Sequence, residues 1–269
     1  MRLPQLNVRI LSRENRVIDR TWGTQDHCDP YWRLYVNKRR GAYVTLGAER
    51  YDIVPNRIHL IPAWVSLRCH SECVTEHLYI HFDVIGLSRP MLREVLPRPV
   101  VLDGRAEHGA VVRSLFRRGA AAGFHDDVRA TMSAQALVCQ SIGRLCASLP
   151  ADRLRRLIWA TVDLGRIAQV LQLIDSHLDR RLGNDLLART AHLSKSAFIR
   201  EFARVSGQTP ARYATERRVA AAAERLAHSS ESIEAIAERF GFADRFYFTR
   251  AFTRLMGVSP ARYRKASRR

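Results

Sequence analysis

Residues 194–213, SKSAFIREFARVSGQTPARY, and residues 244–263, DRFYFTRAFTRLMGVSPARY, align without a gap at an offset of 50. Phe198 matches Phe248, Arg200 matches Arg250, Phe202 matches Phe252, Arg204 matches Arg254 and Gly207 matches Gly257. The run Pro210-Ala211-Arg212-Tyr213 then matches Pro260-Ala261-Arg262-Tyr263. Self-similarity of this kind marks one supersecondary unit used twice. In each copy the apolar residues, Phe198, Phe202 and Val205 or Phe248, Phe252 and Leu255, recur at i, i+4, i+7, the spacing of one buried helical stripe. Gly207 and Gly257 tolerate the positive φ found just past a helix end. Thr209-Pro210 and Ser259-Pro260 then set an N-cap before a proline at the first helical position, so a new helix starts there.

Upstream of each copy the pattern predicts a shorter helix, Asp185 to Thr190 and Ser232 to Phe240. Short helix, tight turn and longer helix make a helix-turn-helix. The turns are Ala191-His192-Leu193 and Gly241-Phe242-Ala243. Here the repeat slips by one residue, because Ala188 stands six before Ser194 and Ala237 seven before Asp244. Between the copies, Thr209 to about Ala227 reads as one alanine- and arginine-rich helix. At about 1.5 Å per residue it is a rod of roughly 28 Å, close to the approximately 34 Å between successive major-groove faces of B-DNA.

With the phenylalanines turned inward, the outward face of the first longer helix carries Lys195, Ser196, Ile199, Arg200 and Arg204. That of the second carries Arg245, Phe246, Tyr247, Arg250 and Arg254. A lone exposed arginine on a helix is by default a solvated residue. Arginines at the same phase of both copies fit base reading better, since a guanidinium can pair bidentately with guanine O6 and N7. Ser194, Lys195 and Tyr247 stand near helix starts, where phosphate is bound. Composition agrees: 44 Lys+Arg against 26 Asp+Glu give a formal charge of +18 over 269 residues, which favours a polyanionic partner and excludes an acidic, disordered chain. Residues 166–269 hold 20 basic and 10 acidic side chains, about twice the net charge density of the rest.

The pattern Ile236-Ala237, Gly241-Phe242, Asp244, Tyr247-Phe248, Arg250, Phe252, Gly257, Ser259-Pro260 and Tyr263-Arg264 resembles the DNA-binding domain of the AraC/XylS family of bacterial transcriptional regulators. The resemblance implies a seven-helix, double helix-turn-helix module over 166–269 that recognises asymmetric promoter sites. The family usually has a small polar residue where Phe246 stands, so the second unit's base reading would change or use apolar contact.

Residues 20–105 have another texture. YWRLYVN (31–37), GAYVTLG (41–47), RIHLIP (57–62) and EHLYIHF (76–82) alternate with period two between glycines and prolines, as strands of a small barrel or sandwich do. This half is similar to the cupin-like sensing domain many family members carry, which implies a pocket for a small effector, often a sugar. Trp22, His27, Arg33, Tyr35, Trp64 and His81 are candidate ligand contacts, because a sugar pocket needs aromatic faces and a few directed donors; each taken singly is ordinary core or surface. From Glu107 to Leu149 the period is helical. Val111, Leu115 and Phe116, then Val138, Ile142, Leu145 and Leu149, suit either packing on the sensing domain or a homodimer seam. The expected organisation is α+β in two domains: a cupin-like β-barrel with flanking helices over 1–149, a connector of helical character over 150–165, and the helical module over 166–269.

No cofactor or metal is expected. His77 and His81 share a strand face but stand roughly 13 Å apart at about 3.3 Å per residue, and Cys69 and Cys73 are separated in the same way unless a turn intervenes. The five cysteines, an odd number, suit reduced thiols better than a disulfide framework. No run reaches the roughly 18 apolar residues of a membrane span, and MRLPQLNVRI lacks a signal-peptide core, so a cytoplasmic protein without a membrane partner is expected. The reading is a ligand-responsive regulator of double-stranded promoter DNA and not an enzyme, with RNA polymerase a further partner if it activates. A cupin-type metalloenzyme fused to a DNA-binding module and a ligand-independent architectural DNA-binding protein are the alternatives.

Overall fold

The computed structural model describes residues 7–23, 26–85, 89–103, 106–119, 128–155 and 165–267. By its internal contacts the chain divides into two compact units, one formed by Asn7–Val84 with Leu96–Leu154, the other including Ile85–Val95 and Arg155–Arg269. Of the expected connector, residues 156–164 lie outside the described residues, as do residues 120–127 of the expected helical stretch before it.

The first unit is built on two antiparallel sheets. Strands β1 (Asn7–Ile18), β3 (Trp32–Asn37), β6 (Arg57–Ile61), β8 (Thr75–Ile85) and β9 (Val100–Asp103) form one, in the order β1-β8-β3-β6-β9. Strands β2 (His27–Cys28), β4 (Ala42–Leu46), β5 (Glu49–Ile53) and β7 (Ser66–Ser71) form the other, ordered β2-β7-β4-β5. Both contribute to one core, in which Tyr35, Ile61 and Tyr79 of the first sheet meet Ala42, Val44, Ile53, Leu67 and Cys69 of the second. β3 is buried along its whole length on both faces. Period two explains how. Leu34 and Val36 pair with Ile80 and Leu78 on one side, while Arg33, Tyr35 and Asn37 pair with His81, Tyr79 and His77 on the other.

After α1 (Arg89–Val95), the helices α2 (Ala106–Gly119) and α3 (Val128–Ser148) pack on each other and on β1, and α3 also meets β9. Leu115, Phe116, Val138, Ile142 and Leu145 are buried there. Of the stripes weighed above, these residues pack inside the chain, while Val111 and Leu149 are only partly buried.

Past Gly165 run α4 (Ile167–Ser176), α5 (Asn184–Thr190), α6 (Lys195–Ser206), α7 (Pro210–His228), α8 (Ile233–Arg239), α9 (Arg245–Met256) and α10 (Pro260–Ser267). Their ends follow the sequence signals. Ser194, Thr209, Ser232 and Asp244 each accept a hydrogen bond from the backbone N–H three residues on, and Gly207 and Gly257 close α6 and α9 at φ 69° and 76°. The cores repeat as well. Phe198 meets Phe202 edge-on at 5.7 Å and Phe202 meets Tyr213 at 5.7 Å; Phe248 meets Phe252 at 5.5 Å and Phe252 meets Tyr263 at 5.4 Å. Joining them, α7 buries Val219, Ala222, Ala223 and Leu226 completely.

Candidate nucleic-acid interface and sensing face

Each helix-turn-helix turn is set by the same hydrogen bonds. Leu193 N–H donates to the Ala188 carbonyl and Phe242 N–H to the Ala237 carbonyl, both at 3.0 Å, closing α5 and α8 with a left-handed residue, His192 (φ 53°) and Gly241 (φ 64°). In the first unit Ser194 follows Leu193 directly, whereas in the second Ala243 intervenes before Asp244. The one-residue slip is thus an insertion after the helix stop, and α6 and α9 resume in phase. Gly241 has a further reason to be glycine: a Cβ there would stand 2.7 Å from the Asp179 carbonyl oxygen.

On α6, Lys195, Ser196, Arg200 and Arg204 are exposed; on α9, Arg245, Phe246, Arg250 and Arg254 are. Two of the proposed contacts are turned partly inward. Ile199 packs against the core of the first unit. Tyr247 is half-buried, with its ring 6.0 Å from Phe242 and the Arg181 guanidinium 5.5 Å from its centroid.

The two helices differ electrostatically. Lys195 Nζ lies 3.1 Å from Asp185, and Arg204 is bound to Glu201, whose carboxyl this hydrogen bond holds below its usual range. Glu201 corresponds to Ala251. Among the described residues Arg200, Arg245, Arg250 and Arg254 have no acidic partner. An open cleft of about 490 Å³ beside α6 is lined by Arg166, Ala197, Arg200, Glu201 and Arg204 among others. Sequence reasoning did not pick out Arg166, because it stands outside the repeat. An ion pair and a hydrogen bond fix the scaffold: Arg217 Nε reaches Asp175 at 2.6 Å, and Arg218 donates to the Arg180 backbone carbonyl.

In the sheet unit, Trp22, Tyr35 and His81 join one aromatic array. Trp22 lies 4.8 Å from His77, Tyr35 4.6 Å from His77, and His81 4.5 Å from both Tyr79 and Tyr31. Arg33 is buried in an ion pair with Asp29, whose backbone carbonyl accepts from Trp64 N–H at 2.8 Å. His27 lies in β2, but its side chain is outside what the structure describes. Sequence reasoning missed His77, Tyr79, Tyr31 and Asn37 as members, although alternation with Tyr35 and His81 puts them on that face. It missed β1 as well, whose Ser12 hydrogen-bonds His81 at 3.1 Å and whose Glu14 accepts from Tyr79 Oη at 2.8 Å. His77 Nδ1 bonds Asn37 Oδ1 at 2.7 Å, and burial, reinforced by Arg16, pushes its pKa down to about 3. Burial pushes the Cys69 thiol up to about 12, so Cys69 is no thiolate. Among the described residues no group of three His, Cys, Asp or Glu side chains could hold a metal ion, and no helix is long and apolar enough to cross a membrane.

Comparison with known proteins agrees with this geometry. Residues 187–266 match the family model of a helix-turn-helix domain. The MmsAB operon regulatory protein of Pseudomonas aeruginosa is 30% identical over 132 residues, 49% of this chain and 41% of that one. The transcriptional activator RhaS of Klebsiella pneumoniae is 30% identical over 149 residues, 55% of this chain and 51% of its own. The chain thus spans about half the length of the curated relatives it matches or less. Among solved structures, ToxT of Vibrio cholerae superimposes with a TM-score of 0.58 over 95% of this chain and 98% of ToxT at 14% identity, a likeness of fold. With its repeated caps, its paired aromatic cores and its match over residues 187–266, the C-terminal third of this chain is a helix-turn-helix domain built from two such units, similar to those of transcriptional regulators.

Proposed function

We propose that the chain is a sequence-specific transcriptional regulator. Residues 166–269 form a seven-helix module that places α6 and α9 in neighbouring major grooves of promoter DNA. Residues 1–149 form a sensing domain whose two sheets are the halves of a cupin-like barrel, and 150–165 connect the two. The observation that carries the reading is the pair of capped helix-turn-helix units, each showing exposed arginines at the same phase, joined by the 19-residue α7. In this reading Arg200 and Arg250 read bases, with Ser196 and Phe246 beside them. Lys195, Arg204, Arg245 and Arg254 hold phosphates, while Ile199 and Tyr247 mainly brace the two helices.

The array of Trp22, Tyr35, His77, Tyr79 and His81, with Arg33 behind it, supports a small polar effector with an apolar face, a carbohydrate fitting that description. In this reading the chain is a non-enzymatic DNA-binding protein of the bacterial cytoplasm, with RNA polymerase as a partner if it activates. Selection of binding sites from a random duplex pool by the full chain tests the proposal. Enrichment of one asymmetric sequence, protected over two adjacent major grooves, is expected; uniform recovery of all sequences would leave only architectural binding.

A further inference from the structure

Phe246 is 75% exposed, more than any other large hydrophobic side chain among the described residues. It sits in the first turn of α9, whose buried face is already complete in Phe248, Ala251, Phe252, Leu255 and Met256. The ring therefore adds nothing to the core. Its counterpart in the first unit is Ser196, at the same phase after the same kind of cap. Around it stand Arg245, Arg250 and Arg254, none with an acidic partner among the described residues. A surface this cationic is fitted to a polyanion, and a phenyl ring within it needs an apolar group on that polyanion. Phosphate offers none. In the major groove the bases recognise partners mainly through donors and acceptors, and the one methyl group among them is the C5-methyl of thymine.

We infer that Phe246 reads a thymine methyl group in the half-site bound by the second helix-turn-helix unit, a specificity that Ser196 does not give to the first. The inference rests on the DNA-binding reading above and adds a base identity to it. It also gives a physical reason for an asymmetric site, since one half is read partly through hydrophobic contact and the other through hydrogen bonds and charge. Covering one methyl group with the ring changes affinity by about three- to fivefold, the transfer value of a single buried carbon.

The test uses the full chain and a site selected from a random duplex pool. Each thymine of the second half-site is replaced in turn by deoxyuridine, which removes only the methyl group, and affinity is measured for the wild type, Phe246→Ser and Phe246→Leu. One position is expected at which deoxyuridine weakens the wild type about three- to fivefold. At that position Phe246→Ser should bind thymine and deoxyuridine alike, and Phe246→Leu should keep part of the preference. Because Ser196 occupies the same place in a capped helix, Phe246→Ser should fold, and circular dichroism checks that it does. Three results would overturn the inference: no thymine sensitive to deoxyuridine, equal sensitivity in wild type and Phe246→Ser, or unchanged DNA binding by Phe246→Ser with loss of transcriptional output, which would place the ring against a protein. Failure of the wild type to select any sequence is a different outcome and removes the DNA-binding reading itself.

Discussion

The Arg204 guanidinium holds the Glu201 carboxylate at both oxygens, Nε at 3.0 Å and Nη2 at 2.7 Å. Fifty residues on, Arg254 has no such partner, because the residue in the place of Glu201 is Ala251. Both ion-pair side chains are partly exposed, so the pair adds little stability. Its effect is on binding: to meet a phosphate, Arg204 must leave a carboxylate that then repels the same phosphate. Glu201→Ala should raise affinity for any duplex at low salt by several-fold. It should also steepen the slope of log affinity against log salt by about one, the contribution of one more phosphate contact. Titrations of cognate and random duplexes at several salt concentrations check this.

Arg200 and Arg250 are exposed, without an acidic partner among the described residues, and two residues beyond the first buried phenylalanine of their helices. Substitution of either by alanine should cost about 1–3 kcal/mol on a selected site. The loss should concentrate at particular base pairs, so competition between single-base variants of the site is the measurement. A cost equal on selected and random DNA would reassign them to phosphate.

The helical module was legible because each of its signals is local. Caps, left-handed glycines and the i, i+4, i+7 stripes act within one turn of the residues that carry them, and doubling at an offset of 50 separated signal from chance. The one-residue slip could be seen in the sequence, but the hydrogen bonds from Leu193 and Phe242 were needed to place it after the helix stop.

Gly241 and Gly257 separate two costs that sequence alone merges. Both have positive φ, 64° and 76°. An added Cβ at Gly257 meets nothing within 4 Å, whereas at Gly241 it meets the backbone of Asp179 and Arg180 at 2.7–3.0 Å. Gly257→Ala should therefore cost about 1–2 kcal/mol, the left-handed penalty alone. Gly241→Ala should add overpacking of about 1–3 kcal/mol to a similar penalty. Denaturant unfolding followed by far-ultraviolet circular dichroism, which reports the helices, should rank Gly241→Ala as clearly the less stable. Equal losses would mean that the α8–α9 turn yields freely.

The sheet unit was less legible, and β1 shows why. NVRILSRENRVI reads as a polar segment, yet Arg13 donates to Thr131, Asn15 to the Phe116 carbonyl and Glu76, and Glu14 accepts from Tyr79. Several of its polar groups find partners 60 to 120 residues away, so neither hydrophobic alternation nor any local signal marks it as part of the sheet. Arg33, a candidate ligand contact, has its charge matched by Asp29, a buried pairing that the spacing of four along the chain did not announce.

His77 makes the stability of that unit pH-dependent. Its pKa falls from 6.5 to about 3 in the folded chain, so the imidazole stays neutral there while the unfolded chain takes up a proton below about 6.5. The contribution of neutral His77 is complete above pH 6.5 and is lost progressively as pH falls from 6.5 towards 3, at up to about 1.4 kcal/mol per pH unit. Burial lowers His59 and His70 as well, so His77→Gln should flatten the dependence without abolishing it. Three of the chain's four tryptophans, Trp22, Trp32 and Trp64, lie in the sheet unit, so tryptophan emission reports chiefly on that unit. Urea unfolding by emission should show the wild type losing stability between pH 7 and pH 5. His77→Gln should lose less over the same interval, and parallel curves would mean that the His77 imidazole is protonated without opening the Asn37 contact.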